Sequence, residues 1–427
     1  MDFFEFLNTA VTPYHTVDAL KSFFKANSFA EIELGANLEP AKAYFVCREA
    51  SIIAFRTPQK WSDESKFKIA LAHTDFPTLK ISPNPDVVNA GVCTLHTEVY
   101  GSPLYTSWLD RDLGYAGMLA YVEAGSSTLK TKLFRGEKLF RIPQLAVHLN
   151  RGVNQDGLKV NPQIDFNALW ACASDSKASE NRKNLFVKAL EKELPEGSRL
   201  IDFDVQLFDA QSANRGGFND EWIYSGRLDN LSSCHAIAEA MVSAKSAESD
   251  CLVACFFNNE EVGSTTREGA TGNFLQSVLD GCGTSLRGDA EAISLASRLS
   301  SSIALSIDMA HAEHPNHTEK HELNHAPLLG KGIVLKTNSQ KHYASDLMSS
   351  AQLRLLCEKA EISLQVFIMR NDMPCGSTVG PTVSANLGIP TVDIGEPMLS
   401  MHSIREMMAA SDHEDMIKLV KALYCYS

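Results

Sequence analysis

A chain of 427 residues, 44% hydrophobic and 21% charged, is globular in make-up and long enough for two or more domains. Its net charge of −13 argues against a nucleic-acid partner and an anionic membrane surface, and no apolar run approaches the ~20 residues of a spanning helix. The acidic start "MDFFEFLNTA" lacks a signal-peptide pattern, and the ten scattered cysteines form no C-x-x-C pair, so a cytoplasmic protein with reduced thiols is expected.

In chain order, "TVDALKSFFKANSF" (16–29) has apolar residues at helical spacing. "KFKIALAHTD" (66–75) reads as a buried strand ending in polar residues. From about 83 to 217 the character changes to Pro, Gly, Val and Tyr with short strands and turns, interrupted by a charged amphipathic helix at 179–194. From about 220 onward, apolar strands such as "CLVACFF" (251–257) alternate with helices, and "SDHEDMIKLVKALYCYS" closes the chain as a helix. Strands apolar on both faces and separated by helices imply a sheet covered on both sides. The expected fold is therefore α/β: a three-layer α/β/α domain from 1–82 and 218–427, with a β-rich domain inserted at 83–217.

Ligands of such sheets sit beyond the carboxyl ends of the strands. The polar residues there are His73, Asp75, Asp229, Glu260, Glu261, Asp308 and His402. Imidazoles and carboxylates without thiolates suit Zn²⁺, Mn²⁺ or Co²⁺. Five ligands exceed the needs of one catalytic zinc; two ions sharing a carboxylate would use them all. Taken singly, each residue has a plainer explanation. His73 could be a hydrogen-bonded core histidine, Asp229 a helix N-cap, and Asp308 an ordinary strand-closing aspartate. Asp75, two residues beyond His73 on the same face of an extended segment, can hold the second imidazole nitrogen. The adjacent pair Glu260–Glu261 is the sharpest signal. In an extended chain their side chains point to opposite sides, so one can ligate while the other moves protons.

These residues in this order resemble the co-catalytic metallo-aminopeptidases, and more closely the M18 family of aspartyl aminopeptidases. The resemblance rests on "PYHTV", "AHTDFPTLKISP", "SWLDRDLGYAG", "IPQLAVHLNRGVN", "GRLDNLSSCHA", "NNEEVGS", "DMAHAEHPNH", "LKTNSQKHYAS" and "PCGSTVGP", in the family's order across nearly the whole chain. It implies two divalent ions, zinc foremost, bridged by Asp229, with His73 and Asp308 completing one site and Glu261 and His402 the other. It also implies Glu260 as general base, Asp75 as the residue orienting His73, and a cis Asp229–Asn230 peptide. The inserted domain would mediate dimers that build a dodecamer, with His148 reaching a neighbouring subunit's site. Lys336 and Tyr343 would line the substrate pocket, Lys336 meeting an acidic side chain. The five-histidine stretch 311–325 reads as a loop over the site, with His325 lining the pocket, and not as a further metal site.

The resulting expectation is a dinuclear aminopeptidase that removes acidic N-terminal residues from peptides with a free amine. Its competitors are a di-metal amidase acting on N-acyl amino acids and a non-catalytic scaffold of the same fold.

Overall fold

The computed structural model describes residues 1–173, 184–286 and 294–425. They divide into two compact units: Met1–Phe76 with Ala213–Met401 and the C-terminal segment from Glu406, and Pro77–Ser212 with His402–Arg405. The expected boundaries at 83 and 217 thus compare with Pro77 and Ser212, because the strand Thr78–Asn89 runs straight through position 82.

The first unit is built on a nine-stranded sheet. Its order is Ala30–Glu31, Ala43–Arg48, Ser51–Arg56, Cys251–Phe257, Phe67–His73, Ile303–Ile307, Thr391–Gly395, Ile333–Lys336 and Leu364–Phe367. The run Cys251–Phe257 is buried at every position, and its side chains alternate between two cores. Leu252, Ala254 and Phe256 pack with Phe24, Leu231, Met416 and Leu419 from helices on one face. Cys251, Val253, Cys255 and Phe257 pack with Phe274, Leu279, Leu299 and Val383 on the other. The period of two along a strand thus yields three layers, helix–sheet–helix, and each fully buried large side chain contributes about 1.5–3 kcal/mol. A smaller five-stranded sheet joins Asn214–Gly216, Trp222–Ser225, Glu406–Ala409, Pro397–Leu399 and Ala310–His311.

One feature of the large sheet positions the site. Phe67–His73 is parallel to both Cys251–Phe257 and Ile303–Ile307, with His73 level with Phe257 and Leu71 level with Ser306. The segments that follow these strands therefore emerge side by side.

The second unit is an antiparallel six-stranded sheet, ordered Lys130–Arg135, Leu113–Val122, Arg199–Asp209, Thr78–Asn89, Val92–Tyr100 and Ala168–Cys172. Its core holds Leu79, Leu95, Trp108, Leu119, Phe140, Phe166, Phe186 and Leu207. Of the helix expected at 179–194, Leu185–Glu191 is observed, and its first positions lie outside the described residues. No helix among the described residues is long and apolar enough to cross a membrane.

Candidate metal centre

The strand Phe67–His73 ends where the Thr74 amide donates to Phe257 O, which leaves His73 buried at 1% exposure. Its Nδ1 lies 2.9 Å from the Asp75 carbonyl oxygen, closer than the 3.4 Å to the Asp75 carboxylate. A carbonyl only accepts, so Nδ1 carries a proton, and Nε2 is the nitrogen a metal could take once its own proton is gone. Nε2 faces Asp229 Oδ1 at 3.4 Å, Asp308 Oδ1 at 3.6 Å and Glu260 Oε2 at 4.0 Å.

The Asp75 carboxylate, 3.4 Å from the His73 Nδ1 it is expected to orient, also meets the glutamate pair. Oδ1 accepts from the Glu260 amide at 3.0 Å, and Oδ2 from the Glu261 amide at 3.1 Å. It braces the glutamate pair, while its backbone carbonyl holds the imidazole. The extended geometry expected for that pair is replaced. Asn259 enters the left-handed region at φ 63°, and Glu260–Val262 forms a 3-10 turn followed by Gly263 at φ 95°. Both carboxylates consequently approach His73 instead of diverging. Glu260 comes within 4.0 Å, and Glu261 joins His73 and Asp229 in a group whose ligand atoms lie within 4.8 Å of one another.

Asp229 sits at the start of the helix Leu228–Ser243, where it and Asn230 depart from helical angles and the peptide between them is cis. Its amide donates to Glu406 Oε2 at 3.2 Å, and Asn230 Nδ2 donates to Ile307 O at 2.8 Å. Glu406 and Asn230 are missing from the sequence-derived set. Asn230 could have been found from its place beside Asp229; nothing local distinguishes Glu406.

Asp308, directly after Ile303–Ile307, has Oδ2 3.5 Å from Lys336 Nζ. Lys336 is 2% exposed, donates to Met309 O at 2.9 Å and lies 5.3 Å from the Tyr343 ring centroid. It is a buried cation already facing a carboxylate. His325 is paired with Glu322, Nδ1 to Oε2 at 2.6 Å. His148 lies exposed in a turn of the second unit. His402 also belongs to the second unit, at φ 66°, with Nδ1 3.0 Å from Ser102 O. Within the first unit the fold thus gathers His73, Asp75, Asp229, Glu260, Glu261, Asp308 and Lys336.

So many buried carboxylates around one imidazole call for positive charge. Burial pushes the Glu260 carboxyl up to about 8; His73 opposes this, and the carboxylates of Asp308, Asp75 and Asp229 add to it. Burial pulls the His73 imidazole down, yet its contacts with Asp229, Asp308 and Asp75 outweigh that and hold it well above its ordinary range. A divalent cation would supply the charge that a proton otherwise brings. One imidazole nitrogen with carboxylate oxygens is the donor set of zinc and similar ions, so the residues fit the metal.

Comparison with known proteins agrees with this chemistry. The family model described as Aminopeptidase I zinc metalloprotease (M18) matches residues 6–424. The chain is 37% identical over 426 residues to "Probable M18 family aminopeptidase 2" of Pseudomonas aeruginosa, covering 99% of this chain and 97% of that one. It is 35% identical to "Aspartyl aminopeptidase 4" of Saccharomyces cerevisiae, covering 99% and 94%. Among solved structures, that of the Ape4 and Nbr1 complex aligns with a TM-score of 0.92 at 33% identity, over 99% of this chain and 84% of the other. The S. cerevisiae mApe1 dodecamer aligns at 0.85 and 26% identity, over 99% and 95%. This chain belongs to the M18 family of zinc metallo-aminopeptidases.

Proposed function

We propose that the protein is a dinuclear aminopeptidase that removes acidic residues from the free N-terminus of peptides. The observation that carries this reading is the convergence of His73, Asp229, Asp308, Glu260 and Glu261 beyond the ends of adjacent parallel strands. His73, Asp229, Asp308, Glu261 and His402 are the residues that would hold the ions, with Asp229 the carboxylate both would share. Zinc is the proposed metal, and when bound it supplies Lewis acidity toward a carbonyl and toward water. Glu260 takes a proton from the attacking water on its carboxylate and returns it to the leaving amine nitrogen. Asp75 keeps Glu260 in place through the two amides it accepts from.

The acidic preference draws on Lys336. Its ammonium lies at the site and can meet a substrate carboxylate in a charge-assisted hydrogen bond. Relatives in S. cerevisiae and Schizosaccharomyces pombe, 35% and 33% identical, are named aspartyl aminopeptidases, which supports the same preference here. Tyr343 and His325 complete the proposed pocket wall.

Self-association through the inserted unit, toward a dodecamer, is supported by the dodecameric relative and by the exposed Leu145, Leu149 and Ile164 of that unit. In that assembly His148 is the residue proposed to serve a neighbouring subunit's site. A cytoplasmic location is part of the same proposal.

The test compares peptides starting with Asp, Ala and N-acetyl-Asp. The expected result is turnover of the free Asp peptide about 10-fold or more above the Ala peptide, in line with one charge-assisted contact. The acetylated peptide should be inert. Equal hydrolysis of the acetylated peptide would favour an amidase and overturn the reading.

A further inference from the structure

The hairpin turn between Ala43–Arg48 and Ser51–Arg56 is a short, unremarked piece of chain, yet both candidate site segments are tied to it. Ala50 O accepts from Thr74 Oγ1 at 2.8 Å, and Thr74 stands between His73 and Asp75. Ser51 Oγ accepts from the Asn258 amide at 2.8 Å, two residues before Glu260. The Ser51 hydroxyl in turn donates to Glu268 O at 2.9 Å. Ser51 and Thr74 are fully buried and Asn258 is 8% exposed, so these bonds have no water to replace them.

Glu268 closes the circuit. One of its oxygens, Oε2, accepts from the Ala50 amide at 2.7 Å and from Asn258 Nδ2 at 3.3 Å. A single side chain thus grips the turn and the end of the strand that leads into Glu260–Glu261. The loop between is compact: Thr266 Oγ1 donates to Asn259 Oδ1, and the Ser264 amide to Asn259 O. A Cβ at Gly269 would stand 2.3 Å from Ser264 O, so the residue beside Glu268 has no room for a side chain. From outside, Arg48 Nη1 donates to Arg267 O and Asn273 Oδ1, and Arg267 pairs with Glu49.

We propose that Glu268, acting through the Ala50–Ser51 turn and Asn258, is a positioning residue that fixes the His73–Asp75 and Glu260–Glu261 segments relative to each other. The inference rests on the reading of those segments as zinc ligands and general base. Glu268 touches neither substrate nor metal in this account; it holds the framework on which the ligands stand, as outer partners of metal sites do.

The test uses the full-length protein with Glu268→Ala, Glu268→Gln and Ser51→Ala, and His73→Ala as reference. The readouts are zinc retained against a graded competing chelator, kcat and KM on an Asp-terminal peptide, and circular dichroism. Glutamine keeps an acceptor oxygen for Ala50 and Asn258. Burial, with Glu49 beside it, pushes the Glu268 carboxyl up to about 7, so a neutral amide is a close replacement.

Glu268→Ala is expected to lose zinc at about 10-fold lower chelator and to lose about 10-fold in kcat, at nearly constant KM. Glu268→Gln should stay within about 3-fold of the parent, and Ser51→Ala, which leaves Glu268 in place, should fall between them. If Glu268→Ala does not fold, the order parent, Glu268→Gln, Ser51→Ala still decides. Parent-like zinc retention and kcat in Glu268→Ala or in Ser51→Ala, or a Glu268→Gln as impaired as Ser51→Ala, overturns the proposal alone. A His73→Ala protein that keeps zinc and turnover overturns the site reading, and the proposal with it.

Discussion

At the ends of the parallel strands His73 is 1% exposed and Asp229 4%, whereas in the inserted unit Leu149 is 73% and Ile164 66% exposed. The first region hides charge and the second displays apolar surface, each against the ordinary tendency of its residue type. The cost of burying carboxylates is met where each has a donor or a cation to face: Asp75 two backbone amides, Asp308 the Lys336 ammonium, Asp229 the imidazole. The apolar groups of the inserted unit have no such resolution within their own sheet. The contrast teaches that one region gathers buried charge that calls for a cation, while the other leaves large apolar side chains exposed.

The largest effect should come from the buried side of this contrast. Glu260→Gln keeps shape and hydrogen-bonding capacity but cannot accept the proton. A loss of about 10³-fold in kcat is expected, with bound zinc unchanged, measured by steady-state kinetics alongside elemental analysis. Retention of full turnover would break the assignment of Glu260 as base.

The exposed side is tested by Leu149→Asp combined with Ile164→Asp. Sedimentation should show a smaller assembly, while circular dichroism stays that of the parent, because neither side chain contributes to the core of its unit. In the intact assembly, His148→Ala is expected to lower kcat by about 10-fold, at the low end of what a positioned side chain contributes. An unchanged assembly size would remove the apolar patch from the account.

A third effect sharpens the role of buried charge. Lys336→Met should reduce kcat/KM for an Asp-terminal peptide about 10-fold more than for an Ala-terminal one, the value of one charge-assisted hydrogen bond. An equal loss on both would make Lys336 a partner of Asp308 only.

The smallest effect asks whether burial of charge by itself marks function. Asp412 is fully buried, accepts from the Gly330 and Gly332 amides, and burial pushes its carboxyl up to about 7. The folded value therefore lies above the unfolded one of about 3.9. The contribution to stability is fully present below about pH 4 and is lost as pH rises through about 7. Melting temperature should decline over that window, and Asp412→Asn should flatten the decline without touching kcat.

Much of the candidate site was legible because its residues announce themselves at the ends of apolar runs. His73 closes "KIALAH", Glu260 and Glu261 follow "CLVACFF", and Asp308 follows "SIALSI". The three-layer core was legible for the same reason, since a strand buried at every position needs cover on both faces. What escaped depends on tertiary contact or on one dihedral angle. The left-handed Asn259 turned the glutamate pair out of the extended geometry that alternation assumes. Asp75 stood out beside His73, but the bonds its carboxylate accepts from the glutamate amides join residues far apart in sequence and had no local sign. Glu406, Ser51 and Glu268 meet their partners only after the chain has folded, so no local pattern marks them. The change of texture near 83 falls inside the continuous strand Thr78–Asn89, so composition marks no edge where the unit Pro77–Ser212 begins.

The central claim is that residues distant in the chain grip a pair of zinc ions about Asp229. Elemental analysis of gel-filtered protein, parent against Asp229→Ala, addresses it most directly. The account predicts a pair of zinc ions per chain in the parent and almost none in a still-folded Asp229→Ala. A variant that keeps the parent's zinc complement would contradict it.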